Sequence, residues 1–320
     1  LHVRTVRWPI TRGPRGRIYS SSFNDGLAAF AGHGAFGGLG EIRVINADSG
    51  ELAFDPLSGK HRQVIASLAW PANDPTRLAS VDGFAHVVLW NEDDATGLWQ
   101  GKTLVENDAV TWGESTALAL RPYRAFVPIT FLGQNHLIVP TYHRSTAETV
   151  LWHLAKVDVD DGSTVQLKDL DHVQHVIACS ATPDGRFLAS SDWAGSIAVW
   201  RFEDDSSSQA TIIRTAKPAL AIELDPSGRR LLVGTGLVAD GQDDPASARL
   251  QLWNLESDPP ALISEKTLFE NVRSAKLDTE HSQAIISQGN RIEIHSFDQA
   301  GVFSDAPVTR LTVSAAPVLK

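Results

Sequence analysis

The residues of this 320-residue chain that could do chemistry are eleven histidines, one cysteine and several aspartate-rich turns. A histidine metal site needs imidazoles on one face with further N, O or S ligands beside them. His172 and His175 are three positions apart, and on a strand that spacing sends them to opposite faces. His136, His143 and His153 have neither flanking cysteines nor a His-Glu-x-x-His frame, so they read as surface or core imidazoles. Asp158, Asp160 and Asp161 resemble the start of a calcium loop, but Gly162 and Asp169 break the required frame. The run Asp240 to Asp244 reads as a solvated loop. Gly32-His33-Gly34-Ala35-Phe36-Gly37 has the glycine spacing of a dinucleotide-binding turn, which needs a helix next, its amides facing a pyrophosphate. The chain continues instead into the alternating Glu41-Ile42-Arg43-Val44-Ile45, a strand pattern, so the segment reads as a long hairpin turn. Cys179 lies in an apolar strand pattern, where a thiol acts as a small hydrophobe. No Gly-x-Ser-x-Gly elbow presents a nucleophile. The sequence thus assigns no catalytic residue, no metal ligand and no cofactor.

The elements that would position any site are strands. Helical periodicity is almost absent, and short apolar runs recur between Gly, Asp, Asn, Pro and Ser. They form six four-strand groups, spanning roughly 17–54, 64–105, 126–167, 176–214, 220–268 and 272–313. Thr182-Pro183-Asp184-Gly185 and Asp225-Pro226-Ser227-Gly228 punctuate them as turns, with Pro presetting φ and Gly closing the turn. Such a chain of small sheets escapes the size limit on a single core, because each unit packs on its neighbours.

Two groups match almost position for position. His61, Ser80 and Trp90 recur as His172, Ser190 and Trp200, and in both the serine precedes the tryptophan by ten residues. Trp253 holds the same place in the fifth group. On these residues the chain resembles the WD40-repeat β-propellers. The resemblance implies an all-β fold of four-stranded antiparallel blades, six or seven in number, in a single domain over 1–320. It also implies a buried His–Ser–Trp–Asp hydrogen-bond chain in each good repeat. Where that family carries Asp, six residues before Trp, this chain has Phe84 and Ala194; Asp82 and Asp192, two positions earlier, could compensate. For the ring's closure, Val3 to Trp8 could pair beside the last unit, or Val110 to Leu120 with the termini could form a seventh blade. Arrays resembling this one occur in large bacterial proteins beside other domains. Together with the absence of methionine even at position 1, this leads to the expectation of a multidomain fragment.

The net charge of −10 disfavours nonspecific nucleic-acid binding, and Arg4, Arg7, Arg12, Arg15 and Arg17 read as a solvated lead-in. No apolar run is long enough to span a bilayer, and the expected location is cytoplasmic. The expected function is a non-enzymatic scaffold that binds a protein or peptide, or other domains of the same polypeptide, through loops on one face. The candidate contact residues are His33, Phe36, Asp82, Phe84, Tyr142, His143, Arg144, Asp192 and Trp193, because aromatic and charged side chains in turns are what docking hot spots use. Trp193 either meets a partner or folds back over a blade. The rival readings are a propeller hydrolase or metal-dependent enzyme with a channel site, and a structural spacer.

Overall fold

The computed structural model describes residues 17–33, 40–61, 63–83, 85–106, 127–144, 150–167, 172, 174–203, 208–236, 238–239, 242–243, 248–289 and 291–312. The chain forms two compact units, 1–168 and 169–320. Among the described residues each unit contains three antiparallel sheets of three or four strands in chain order, and the second unit adds a two-stranded hairpin inserted within one of its sheets. The alternative closing segments Val3 to Trp8 and Val110 to Leu120 lie outside the described residues.

In the first unit, β1 (Arg17–Asn24), β2 (Leu27–His33) and β3 (Ile42–Asn46) make one sheet. The second sheet holds β4 (Ile65–Ala69), β5 (Arg77–Asp82), β6 (Val87–Glu92) and β7 (Trp99–Val105). The third holds β8 (Thr130–Leu132), β9 (His136–Arg144), β10 (Val150–Asp158) and β11 (Thr164–Gln166). The expected fourth strand of the first group, Glu51 to Phe54, is not a strand. The bridges Ile45 to Leu52 and Ile42 to Leu57 tie that segment to β3 instead. It carries Asp55-Pro56 and Gly50, and a Pro without an N–H interrupts a ladder.

In the second unit, the fourth sheet comprises β12 (Val176–Ala181), β13 (Phe187–Asp192), β14 (Ser196–Phe202) and β15 (Ser208–Arg214). The fifth sheet starts with β16 (Ala219–Leu224) and β17 (Arg230–Thr235). A two-stranded hairpin comes next, β18 (Val238–Ala239) with β19 (Gln242–Asp243). β20 (Arg249–Asn254) and β21 (Ala261–Thr267) complete the fifth sheet. The sixth sheet holds β22 (Val272–Asp278), β23 (Gln283–Gln288), β24 (Arg291–Ser296) and β25 (Thr309–Thr312).

Hydrophobic burial sets this order. Central strands such as Val87-Val88-Leu89-Trp90 are buried on both faces, so they read as unbroken apolar runs. Outer strands β7 and β21 alternate between exposed and half-buried residues. Within each unit the apolar faces of consecutive sheets meet. Ala79, Leu89, Phe131 and Val139 share a core between the second and third, and Leu250, Leu252, Ile286 and Phe303 one between the fifth and sixth. Burial of each such side chain stabilises by roughly 1.5–3 kcal/mol. The register of the first strand shifts at the same point in five sheets, at Ile18/Ser20, Ile65/Ser67, Val176/Ala178, Ala219/Ala221 and Val272/Ser274. One extra residue there bends the strand and increases its twist.

Candidate functional site

The polar residues shared by the second and fourth sheets lie in the interior. In the second, His61 Nε2 is 2.6 Å from Ser80 Oγ, and Trp90 donates its indole N–H to the same oxygen at 2.8 Å. Ser80 is fully buried because its strand β5 lies between β4 and β6. On the other side of the ring, His61 Nδ1 is 3.5 Å from Asp82 Oδ2, beyond good hydrogen-bond length. Burial holds His61 below the ordinary imidazole range, against the upward pull of Asp82, so the ring is neutral at pH 7. Gly40, with φ of +79°, lies so close that a Cβ there would meet His61 Cβ at 2.5 Å. Only glycine lets the backbone cover the imidazole this tightly.

The fourth sheet repeats the plan with one bond tighter and one absent. His172 Nε2 is 2.7 Å from Ser190 Oγ, and His172 Nδ1 is 3.2 Å from Asp192 Oδ2. A carboxylate only accepts, so the proton sits on Nδ1 and Nε2 takes the serine O–H. Asp192 Oδ1 also accepts the backbone N–H groups of Ala194 and Ser196, both at 2.9 Å. Trp200 is fully buried, yet its indole N–H has no acceptor among the described residues. Asp192 therefore fills the role left vacant by Ala194, whereas Asp82 stands at the matching place without a hydrogen bond to His61.

The fifth and sixth sheets replace the plan. Trp253 donates to Gln251 Oε1 at 3.2 Å, and Gln251 donates to Glu265 at 2.6 Å. In the sixth, buried Glu293 accepts from Gln288 at 3.0 Å and from Arg310 at 2.5 Å, and lies 3.1 Å from His295 Nε2. Those partners hold the Glu293 carboxyl below its usual range although its burial opposes them.

Two Ser–His–Asp sets thus stand in a sequence without a nucleophile elbow. Their connectivity is that of a nucleophilic triad. Both serine residues are 0% exposed, and Ser80 Oγ already accepts from Trp90, so no substrate carbonyl reaches either hydroxyl. Cys179 sits half-buried in β12 opposite Ser190, and desolvation pushes its thiol well above the ordinary range, which disfavours the reactive thiolate.

The candidate contact residues separate into groups. Asp82 and Asp192 are 2% and 0% exposed, so the expectation that they face a partner is corrected: they are consumed by the interior network. Tyr142, His143 and Arg144, expected in a loop, belong to β9, whose ladder runs on through Tyr142–Trp152, His143–Leu151 and Arg144–Val150. His33 ends β2, opposite Arg17. Phe36 and Phe84 lie outside the described residues. Trp193 is in the turn after β13, half-buried, its backbone N–H bonded to His175 O at 3.0 Å. β2 and β3, on either side of the glycine-rich stretch, pair antiparallel, and residues 34–39 lie outside the described residues.

Two arrangements escaped the sequence. His86 brings its Nδ1 to 3.7 Å from Asp82 Oδ2, so that His61, Asp82 and His86 gather their ligating atoms within 4.8 Å of one another. No sequence pattern singled out His86, because the matching position of the fourth sheet is Ser196. In the second unit a cavity of about 500 Å³ is lined by Arg186, Phe187, Arg201, Arg229, Leu255 and Glu256. The Arg201 guanidinium lies 6.0 Å from the Phe187 ring centre.

No protein-family model matches the chain, and no curated protein matches it. Solved structures do. One, described as "Crystal Structure of Mitotic Checkpoint Complex", superposes with a TM-score of 0.63 at 16% identity, covering 99% of this chain and 88% of that one. Consecutive antiparallel sheets, two of them carrying the same buried His–Ser hydrogen bond at the same place, agree with that likeness. The fold of the chain is that of a WD40-repeat β-propeller.

Proposed function

We propose that the chain is a non-enzymatic platform that binds a protein or peptide. The observation that carries this reading is the cleft around Arg186, Phe187, Arg201 and Arg229. It gathers three arginines on a chain whose net charge is −10. Arginine beside an aromatic ring is hot-spot chemistry, and a rigid sheet scaffold lowers the ordering cost of binding. Arg186 pairs with Asp184 and Arg229 with Glu256, but all four side chains are exposed. Exposed pairs contribute little, so a ligand carboxylate can replace them. The fitting ligand is a short acidic segment with an apolar side chain for the Phe187–Leu255 wall. A likeness to a chain solved within a complex supports a protein partner. The buried serines and the protonated thiol support a role other than hydrolysis.

Selection of a displayed peptide library on the immobilised chain tests this. Acidic peptides should be enriched, and Arg201→Glu should weaken them at least tenfold with the melting temperature unchanged. Enrichment insensitive to Arg201→Glu but lost in Trp193→Ala would move docking to the turn after β13. Failure to enrich any peptide would count against the platform reading.

A further inference from the structure

We propose that His61, Asp82 and His86 form a binding site for one Zn²⁺ ion. Two imidazole nitrogens flank one carboxylate oxygen, at 3.5 Å for His61 Nδ1 and 3.7 Å for His86 Nδ1. A tetrahedral Zn²⁺ with N and O ligands at about 2.0–2.1 Å places neighbouring ligand atoms about 3.3–3.4 Å apart. The observed spacings are a few tenths of an ångström wider, too long for hydrogen bonds and close to the edges of a coordination polyhedron.

Three further features support an ion. His61 has a fully buried side chain, and its Nδ1 has no hydrogen-bond partner among the described residues. A buried polar atom left so keeps its desolvation cost uncompensated, and a bound cation would remove that cost. His86 is clamped in place: Asp82 Oδ1 accepts its backbone N–H at 3.1 Å, and its carbonyl accepts the N–H of Asp82 at 3.1 Å. Its side chain is 16% exposed, which opens the site to solvent from that side. The outer partners also suit a metal. With Nδ1 on the ion, the His61 proton sits on Nε2, facing Ser80 Oγ at 2.6 Å. That oxygen then accepts from His61 and Trp90, while its own O–H points to Val88 O at 3.4 Å. A ligating imidazole held by a hydrogen bond at its second nitrogen is the usual arrangement at protein metal sites. The fourth sheet has Ser196 in the place of His86 and a 3.2 Å bond between His172 and Asp192, so it lacks the third ligand.

The test uses the full chain, freed of metal by chelation. Titration with Co²⁺ should give the intense visible bands of a four-coordinate site at one equivalent, and Zn²⁺ should bleach them. Competition with a chromogenic chelator should show Zn²⁺ binding weakened about 100-fold or more in His86→Ser, which copies the fourth sheet, with the metal-free melting temperature retained. A pale six-coordinate Co²⁺ spectrum would overturn the proposal without any variant. Equal Zn²⁺ affinity in the parent chain and in folded His86→Ser or His86→Gln would overturn it too.

Discussion

The second and fourth sheets apply one plan with different strictness. Both place a histidine between a serine and an aspartate, and both end the serine strand two residues later at that aspartate. In the fourth sheet the aspartate is saturated by His172, Ala194 N–H and Ser196 N–H, and the turn closes at Gly195 with φ of +82°. In the second, the matching turn residue is Ala85 with φ of +60°, and His86 comes directly after it. There the carboxylate shares one oxygen between two imidazoles at longer distances. The tight version is a structural clamp. The loose version gives up hydrogen-bond length and turn comfort, and leaves the buried Nδ1 of His61 without a hydrogen-bond partner among the described residues. A repeat that departs from the ideal in several linked positions is where a function separate from folding is to be sought.

The largest expected effect tests the clamp. Asp192→Ala removes an acceptor from three donors in a dry interior and should cost about 4 kcal/mol by urea denaturation. Asp82→Ala removes longer contacts and should cost about 2 kcal/mol. Equal losses would erase the distinction between the two sheets. The turn tests it next. In Gly195→Ala the new Cβ would meet Thr215 O at 2.7 Å and Lys217 O at 3.2 Å, both backbone atoms. With the left-handed conformation added, the expected loss is about 2 kcal/mol. Ala85→Gly relieves that conformation but removes a buried methyl group, so its stability should stay within about 1 kcal/mol of the parent. A large gain from Ala85→Gly would mean that the strain is stored for the site rather than balanced by packing.

The strands were legible because their signal is local: alternation, unbroken apolar runs in central strands, and the ten-residue interval from Ser80 to Trp90 repeated from Ser190 to Trp200. The compensating role of Asp192, and the matching place of Asp82, were also legible, from their position at the ends of matched strands. Their burial was not, since the same position two residues from a turn serves equally for display or for closure, and only packing decides. Tyr142 to Arg144 read as a loop because Arg144-Ser145-Thr146 lacks apolar alternation, yet cross-strand pairing with Val150 to Trp152 extends the ladder past it. His86 was invisible for another reason. Its partner His61 lies on the far side of β4 and β5 in sequence, and no periodic pattern links residues that meet only through a shared carboxylate. The arginine cleft draws Arg186, Arg201 and Arg229 from three different strand ends and turns, which composition could not bring together.

The smallest predicted effect isolates the tryptophans. Trp90 and Trp200 are both buried, and replacing either by phenylalanine removes a similar volume. The indole N–H groups differ. That of Trp90 is bonded to Ser80 Oγ at 2.8 Å, whereas that of Trp200 is buried without an acceptor among the described residues. Trp90→Phe therefore loses a hydrogen bond and leaves Ser80 Oγ with one donor fewer. Trp200→Phe instead removes a desolvated donor that was already unsatisfied, which offsets part of its packing loss. Trp90→Phe should be the more destabilising by about 1 kcal/mol in paired urea titrations. If the two variants lose equal stability, the N–H of Trp200 has found an acceptor in solution, and the fourth sheet is closed by the same four-residue chain as the second. The contrast between the sheets would then rest on His86 and the turn alone.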